Sequence, residues 1–461
     1  MKTELNSRQF YRTVAVLVLP IALQNLINVG VTSADVIMLG RVGENALSGV
    51  SLANQVYFIL SLIYFGLTSG AAVLTAQYWG KQDVRTIEKV LGISLRVGIY
   101  AGLLFTVVAW FFPVSVMKIF TNEPAVIAEG VKYLKIVSCS YVISGITCVY
   151  LSIMRSVERV IVATVVYLIS LIVNVVINAI LIFGLLGAPQ LGSQGAAVGT
   201  LVARCTEILL VMIYARKFND TVKVRFRDLL ERSPQLMSDF RVYAVPVLLN
   251  ELAWGLGMAM ISAIVGHLGS AAVAAHSVTQ VSRQLAMVVG FGVASATAIL
   301  CGKAIGERKE ELAKEYARRL TRLSVVVGVC GSCVILAVLP LLHKVMNLTP
   351  QARSYLTVMF FIMAYFVIFQ TLNSTWIVGV FRSGGDTRYG LILDSAALWG
   401  VSICVGSVFC FCTEDSHALV ISSTILEDYE EGRLDEVWII YTQMMNSMQM
   451  EAEMTELLPL K

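Results

Sequence analysis

Two acidic residues stand inside long apolar stretches of the sequence, where a charged group is costly to keep. Asp35 lies in the first of these stretches, and Glu251 follows Pro246 by five residues in a later one. A carboxylate at the centre of a membrane-spanning helix costs about 2.5–3.5 kcal/mol on insertion scales, so it indicates an ion or substrate pathway. We therefore predict that Asp35 and Glu251 bind a coupling cation. The alternative for Asp35 is a structural carboxylate held by hydrogen bonds.

Glu251 has a second interpretation, because a basic residue is expected at a similar depth. If the chain turns near residues 266–270, Glu251 lies level with about residue 285, and Arg283 comes within roughly one helical turn of it. An ion pair between the two side chains would neutralise both inside the membrane. The sequence leaves open whether Glu251 is a cation site or one partner of such an ion pair.

Neutral polar side chains recur in the same stretches, and we expect them to line a cavity. Asn174 and Asn178 are four residues apart and so share one helix face, which Thr200 of the next stretch can join. A pair of polar residues also follows each of two prolines, Gln24 and Asn25 after Pro20, and Asn250 and Glu251 after Pro246. The two prolines are candidate hinges. Ordinary hydrogen bonds between helices are the alternative role for these groups. The predicted cavity and substrate residues are Gln24, Asn25, Asn174, Asn178, Thr200, Asn250 and Arg283, with Pro20 and Pro246 as hinges.

Residue spacing argues against other kinds of site. The four histidines form no metal-binding pattern, and Cys330 and Cys333 lie in an apolar stretch with no second cysteine pair nearby. No GxxxxGK[ST] motif occurs, so ATP is not expected to be the direct energy source. The apolar stretches hold neither a nucleophile with a base nor a set of metal ligands. We expect a protein that is not an enzyme, needs no cofactor and uses a gradient of H⁺ or Na⁺.

The elements that carry these residues are predicted to be membrane-spanning helices. Hydrophobic residues make up 57% of the chain and charged residues 14%, whereas soluble domains are about 25% charged. Inside a hydrocarbon core of ~30 Å these stretches can satisfy their own backbone hydrogen bonds only as helices. The fold class is therefore an all-α polytopic membrane protein. Eleven spans are predicted, near residues 13–38, 48–72, 92–112, 132–154, 161–184, 192–215, 242–266, 274–300, 320–341, 354–378 and 390–412.

Basic residues collect at alternate connections between the predicted spans. They precede the first span and recur near residues 81–89, 155–159, 216–232, 303–319 and 382–388, while the intervening connections carry almost none. Cytoplasmic loops of membrane proteins hold the excess of Lys and Arg. We therefore predict a multi-pass protein of the cell's inner membrane with a cytoplasmic N-terminus, and we do not attribute the basic residues to nucleic-acid binding.

The two halves of the sequence repeat each other at an offset of 226 residues. Pro20 aligns with Pro246, and the register continues without a gap as far as Gly80 and Gly306. Six predicted spans separate the copies, so both halves enter the membrane in the same direction. Parallel repeats of this kind are related by an axis along the membrane normal and place the substrate site between the halves.

The offset predicts a twelfth span at residues 418–441, but that segment is too acidic to cross a membrane. The tail, residues 413–461, holds eleven acids and two bases, so the remainder of the chain has a formal charge of +13 although the whole chain has +4. The predicted organisation is a six-helix N-lobe (1–219), a cytoplasmic connector (220–241), a five-helix C-lobe (242–412) and an acidic non-membrane tail.

Three sequence motifs resemble those of the multidrug and toxic compound extrusion (MATE) family. They are DVIMLG at residues 35–40, NVVINAILIFG at residues 174–184 and RSGGDT at residues 382–387, and the resemblance covers about residues 8–412. It implies two six-helix lobes, an alternating-access cavity and export of amphipathic, often cationic compounds in exchange for H⁺ or Na⁺. Asp35 matches the cation-linked acid of this family. At the position of Asn178 many members of the family carry an acidic residue. At the positions of Asn373 to Thr375 some sodium-linked members carry an acidic residue.

Other functions are kept as alternatives. A flippase for a lipid-linked precursor would share the architecture, but its cavity should carry several arginines for an anionic pyrophosphate. Residues 416–461 resemble an internal part of the gamma chain of the F-type ATP synthase, which suggests a fusion product without transport function or an assembly partner of that rotor. For the exporter we expect a lipid-embedded monomer with small drug-like substrates and no nucleic acid.

Overall fold

The computed structural model describes residues 7–223, 233–267, 270–345, 350–407, 437–446 and 449–458. Residues 224–232 of the predicted connector and the acidic segment 413–436 lie outside the described residues. Within the described part, the first half of the chain forms eight helices. They are α1 (Ser7–Gly40), α2 (Glu44–Gly80), α3 (Val84–Phe111), α4 (Pro113–Phe120), α5 (Pro124–Val137), α6 (Ser140–Ser156), α7 (Val160–Phe183) and α8 (Ser193–Lys217).

The second half continues with five helices, two of which change to π-helical geometry along their length. The helices are α9 (Pro234–His267), α10 (Ser270–Gly306), α11 (Glu310–Val345), α12 (Pro350–Ser374) and α13 (Thr387–Ser395). A π-helical segment, Thr375–Phe381, and the turn Arg382–Gly384 extend α12, and a second one, Ala396–Ile403, extends α13 to Cys404–Ser407. Such wide turns inside helices occur frequently at functional sites.

The predicted all-α membrane architecture with eleven spans is confirmed. Ten helices of the described part are long and apolar enough to cross a membrane, and there are eleven such spans if α5 and α6, bent by 53° to each other, together form one. The helices are longer than predicted, because their backbone hydrogen bonds continue through polar residues beyond the apolar runs. In particular, α9 begins at Pro234, so the last residues of the predicted connector are helical.

The tail contains strands that the all-α prediction did not include. Strand β1 (Val437–Asn446) pairs antiparallel with β2 (Gln449–Leu458). The run VWIIYT at the start of β1 is rich in β-branched and aromatic residues, which favour a strand over a helix. The tail is therefore structurally distinct from the helical bundle.

The two lobes contact each other mainly near one face of the membrane. We name this the basic face; it is the face where α1 begins and where the basic connections 81–83, 157–159 and 307–309 lie. One apolar cluster joins Leu67, Leu74 and their neighbours to Phe240 and Ala244 of α9. A second joins residues 10–21 of α1 to residues 293–300 of α10. Both clusters lie in the basic-face halves of the helices that form them.

Glycines allow the helices of the two lobes to pack closely, and they lie at equivalent positions of the two repeat copies. A Cβ on Gly66 of α2 would lie 2.6 Å from the Leu248 Cα, and a Cβ on Gly292 of α10 would lie 3.6 Å from the Ala22 backbone nitrogen. Gly66 and Ala22 correspond to Gly292 and Leu248 at the offset of 226, so the two contacts are equivalent. Small residues allow the backbones of membrane helices to pack closely. The reciprocal contacts match the pseudo-symmetry that the sequence repeat predicts.

We predict that the double substitution Gly66→Ala and Gly70→Ala lowers the thermal unfolding midpoint of the purified protein. A Cβ on Gly70 would overlap Ala244, and overpacking of this kind costs ~1–3 kcal/mol. Gly30→Ala on α1 is the matched control, since nothing lies within 4 Å of its Cβ position. Equal midpoints for the double variant and the wild type would show that the lobes do not depend on these glycines.

Candidate ion and substrate site

A polar cluster inside the N-lobe brings together three of the predicted site residues. The Asn178 Nδ2 donates a hydrogen bond of 2.6 Å to the Asp35 Oδ1 and lies 3.3 Å from the Asn174 Oδ1. Asn174 and Asn178 are buried, whereas Asp35 is partly exposed. The four-residue spacing on α7 presents both amides on one face, as predicted. Asp35 therefore accepts a hydrogen bond from one neutral amide, that of Asn178, and stays partly accessible.

Tyr133 connects this cluster to two further helices. Its hydroxyl donates to the Asn54 Oδ1 at 3.1 Å, and Thr200 also interacts with it. The structure thus places Thr200 beside Tyr133 at the edge of the cluster. Gly199, the residue before Thr200, faces Asn178 so closely that a Cβ would overlap the Asn178 Oδ1. A glycine is required here for α8 to pack against the amide.

A buried ion pair lies deeper in the same lobe. The Arg204 Nη1 bonds the two carboxylate oxygens of Glu207 at 2.9 and 3.0 Å. Glu207 also accepts from the Ser170 Oγ at 2.7 Å and from the Thr147 Oγ1 at 3.4 Å, and the Arg204 Nη2 donates to the Tyr57 hydroxyl at 3.3 Å. The spacing of three residues on α8 brings the two side chains to the same side of the helix. Glu207 is fully neutralised and is unsuited to bind a further cation.

The predicted partner of Glu251 is corrected by the structure. Glu251 does not pair with Arg283; its Oε1 accepts from the Arg382 Nη2 at 2.7 Å, and the Arg382 Nη1 donates to the Ser69 Oγ at 2.8 Å. The depth argument assumed that α9 and α10 lie side by side, but α9 packs mainly against α2 and α13. Arg382 reaches Glu251 from the end of the helix that precedes α13.

Arg283 instead takes part in a neutral cluster of the C-lobe. Its Nε donates to the Gln280 Oε1 at 2.7 Å, and its Nη1 donates to the Gln370 Oε1 at 3.2 Å. His276, one turn earlier on α10, lies 3.2 Å from the Gln280 amide nitrogen. Arg283 is 7% exposed. This buried guanidinium is placed by glutamine side chains from two helices.

A fourth carboxylate stands in the spans near the basic face. The Asp394 Oδ1 accepts from the Asn373 Nδ2 at 3.3 Å. Asp394 lies seven residues from the start of α13, which corresponds to about 10 Å along the helix. Like Asp35, it has an amide partner and no ion pair with a described residue.

The residues after the two helix prolines lie at the interface of helices, in equivalent positions. The Gln24 Nε2 donates to the Thr164 Oγ1 at 2.8 Å, and the Asn25 Nδ2 reaches the Val288 carbonyl across the lobes at 3.5 Å. Asn250, the counterpart of Gln24, is buried, and its Oδ1 has no hydrogen-bond partner among the described residues. Pro20 and Pro246 both lie inside long helices, α1 and α9.

The basic face is closed by contacts between the lobes. The Lys303 Nζ pairs with the Glu158 Oε2 at 2.8 Å, and the Gln77 Nε2 donates to the Ser383 carbonyl at 3.0 Å. Phe10 also stacks on Tyr316 with ring centroids 5.5 Å apart. Beneath these contacts lies a small cavity of about 80 Å³, lined by five serines, Arg155, Arg382 and apolar side chains of both lobes such as Ala72 and Ile299. In this state a substrate has no wide path to the basic face.

Several site residues were missed from the sequence. Asn54, Tyr57 and Tyr133 look like ordinary packing residues of apolar helices, and Gly199 looks like one helix glycine among many. The internal repeat offered a signal for two of them, because Asn54 and Tyr57 align with Gln280 and Arg283 at the offset of 226. No group of three or more His, Cys, Asp or Glu residues that could hold a metal ion occurs in the described part of the chain.

Known proteins match the chain over almost the whole bundle. The MatE family profile matches residues 20–180 and 246–408. A probable multidrug resistance protein of Bacillus subtilis, YoeA, is 22% identical over 414 residues, which is 86% of each chain. A probable multidrug resistance protein of Thermotoga maritima, NorM, is 24% identical over 399 residues, or 85% of this chain and 84% of that protein.

A solved structure shares the fold. It is described as the outward-facing conformation of a multidrug resistance MATE family transporter, and it superposes with a TM-score of 0.79 at 19% identity over 86% of this chain and 88% of its own. The family match covers both repeat copies and ends at residue 408, before the tail. The eleven-span bundle, its parallel repeat and these matches lead to one conclusion: the chain belongs to the MatE family of multi-pass membrane transporters and is not an enzyme.

Proposed function

We propose that this protein exports amphipathic, cationic compounds in exchange for H⁺ or Na⁺, with Asp35 as the carboxylate that binds substrate and coupling ion in turn. An ionised Asp35 attracts the cationic substrate, and binding of the coupling ion neutralises the carboxylate and releases that substrate. The likeness to proteins named as probable multidrug resistance proteins supports the export of drug-like compounds, and the cationic class is what the resemblance to the MATE family implies.

The proposal rests on a difference among the acidic residues of the spans. Two glutamates are neutralised by arginines, whereas Asp35 is not. Glu207 is paired with Arg204, and Glu251 is paired with Arg382. Asp35 has the amide of Asn178 as its partner and no basic group within ion-pair distance in the described part of the chain. A partly exposed carboxylate without a counter-charge is able to take up a cation, whereas a carboxylate already paired with arginine is not.

The contacts between the lobes support alternating access. Ion pairs, hydrogen bonds and apolar clusters hold the lobes together at the basic face, which the sequence predicts to be cytoplasmic. Asp35, by contrast, lies five residues before the end of α1 at the opposite face. We propose that the structure represents the outward-open state of an inner-membrane monomer, and that the basic-face contacts break when the protein opens inward.

The flippase alternative is less well supported. A pyrophosphate lipid would need several unpaired arginines in the cavity. Arg204 and Arg382 are already paired with carboxylates, and of the two arginines that line the small cavity only Arg155 has no ion pair in the described part of the chain. The tail is not part of the proposed function, because the family match ends before it. Its resemblance to the ATP synthase gamma chain stays a sequence prediction.

Asp35→Asn is predicted to abolish ethidium efflux from energised cells that lack their own exporters, without lowering the membrane abundance of the protein. The substitution removes the charge and keeps a side chain of the same size beside Asn178. Efflux is followed by ethidium fluorescence, and reconstituted vesicles with an H⁺ or Na⁺ gradient imposed separately identify the coupling ion.

Asp394→Asn is the matched control for this experiment, since Asp394 is the other carboxylate of the spans that has an amide partner. It should retain efflux. The role proposed for Asp35 would be rejected if Asp35→Asn exported like the wild type, or if the two variants lost efflux to the same extent.

For the pair in the C-lobe, we predict that Arg382→Gln alone is much less stable than the double variant Arg382→Gln with Glu251→Gln. Removing one partner of a buried ion pair leaves an uncompensated charge and costs ~3–5 kcal/mol, whereas removing both charges avoids that cost. Thermal unfolding midpoints of the purified variants provide the measurement.

The same double variant also tests the remaining cation-site interpretation of Glu251. If Glu251 serves as the structural partner of Arg382, the double variant should still export ethidium. A double variant that is as stable as the wild type but does not export would instead indicate that Glu251 binds the coupling ion.

A further inference from the structure

The small cavity beneath the basic-face contacts is lined by basic and hydroxyl side chains of both lobes. Arg155 and Ser156 reach it from the end of α6, and Arg382 and Ser383 reach it from the turn that extends α12. Its volume of about 80 Å³ is larger than the ~10–15 Å³ that one water molecule needs. It is much smaller than the ~300–1,000 Å³ of a pocket for a drug-sized ligand. The cavity can therefore hold a small ion, and it is too small for a drug-like substrate.

The internal repeat makes the polar lining of this cavity nearly symmetric. Ser69 of α2 and Ser295 of α10 both line it, and they correspond to each other at the offset of 226. The arginine–serine pairs 155–156 and 382–383 correspond at an offset of 227. Each lobe thus contributes one arginine and two serines at equivalent positions.

The arginine of the C-lobe has its full complement of charge. The Arg382 Nη2 donates to the Glu251 Oε1 at 2.7 Å, which neutralises the guanidinium. Its Nη1 donates to the Ser69 Oγ at 2.8 Å, a contact that crosses from the C-lobe to the N-lobe. The Ser69 hydroxyl accepts this bond, and its own O–H group remains available as a donor.

The arginine of the N-lobe lacks the equivalent acid. At the offset of 226, the residue that corresponds to Glu251 is Asn25, which is neutral and donates to a backbone carbonyl of α10. The half-buried Arg155 side chain has no ion pair and no hydrogen bond with a described residue. The hydroxyls of Ser152 and Ser295, which also line the cavity, have no partner in the described part of the chain either. The cavity therefore combines one uncompensated positive charge with free O–H donors.

We propose that this cavity binds one small monovalent inorganic anion, such as chloride, between Arg155 and the serine hydroxyls of the two lobes. Guanidinium N–H and hydroxyl O–H groups are the donors that coordinate an anion. One negative charge balances the one uncompensated positive charge, whereas a divalent anion would leave a negative charge without a partner in a confined space.

The site lies apart from Asp35, and the inference does not depend on the proposed export function. The bound anion contacts groups of both lobes, so it binds only while the lobes are together at the basic face. A ligand that binds one state stabilises that state. Chloride therefore stabilises the closed basic face, and it is released when the lobes separate there.

The test uses the purified full-length protein in lipid nanodiscs. Its thermal unfolding midpoint is measured while sodium gluconate is replaced stepwise by sodium chloride, which keeps the ionic strength and the Na⁺ concentration constant. The variants are Arg155→Gln, Arg155→Lys and Ser295→Ala. The matched control is Arg159→Gln, which changes an exposed arginine just after α6.

The wild-type midpoint is expected to rise with chloride and to reach a plateau. Arg155→Gln should lose this dependence and should unfold in gluconate no earlier than the wild type, because it removes an uncompensated charge. Arg155→Lys should keep part of the dependence. Ser295→Ala should raise the chloride concentration of half-maximal effect by roughly ten-fold, because it removes a hydrogen bond to a charged ligand. Arg159→Gln should match the wild type.

A second measurement locates the ion. Crystals grown in sodium bromide should show an anomalous diffraction peak in the cavity beside Arg155, and crystals of Arg155→Gln should lack it. The proposal is overturned if the wild-type midpoint does not depend on chloride, if Arg155→Gln keeps the wild-type dependence, or if Arg159→Gln loses it as well. Should Arg155→Gln fail to fold, an unchanged half-maximal concentration for Ser295→Ala, or a bromide peak elsewhere only, overturns it.

Discussion

The cost of burying charge inside a membrane-spanning bundle determines how the polar residues of this protein are arranged. Each ionised side chain must be paired, hydrogen-bonded or left accessible to a ligand. Arg204 with Glu207 and Arg382 with Glu251 follow the first solution and stabilise the packing of their helices. Asp35 and Arg283 have amide partners and no counter-charge among the described residues. Asp394 is a further exception of the same kind, with an amide partner and no ion pair among the described residues, and the function that we propose depends on Asp35.

The parallel repeat determines where the two lobes contact each other. Equivalent glycines on α2 and α10 bring the helices of opposite lobes into contact, and the contacts concentrate near the basic face. The polar groups of the Asp35 cluster lie further from that face. A rocking motion would therefore break apolar and ion-pair contacts at one end of the interface and leave the interior of each lobe largely unchanged.

Hydropathy and the internal repeat predicted most of the fold, because each span must be apolar over the full thickness of the membrane. The shared face of Asn174 and Asn178 was also predictable, since α7 spaces its amides by four residues, but their contact with Asp35 was not. The partner of Glu251 was not. Depth along a helix does not determine which neighbour a side chain faces, and Arg382 reaches Glu251 from a distant part of the sequence. Tyr133 and Asn54 were missed because single polar residues in apolar helices usually serve packing.

The central claim is that Asp35 holds either the coupling ion or the cationic substrate. The most direct test is to titrate ethidium into the purified protein in weakly buffered solution and to measure proton release, with a parallel titration at increasing Na⁺ concentration. We predict that substrate binding to the wild type releases protons or weakens as Na⁺ rises, and that Asp35→Asn shows neither effect. An Asp35→Asn variant that still releases protons, or whose ethidium binding still weakens as Na⁺ rises, would contradict the claim.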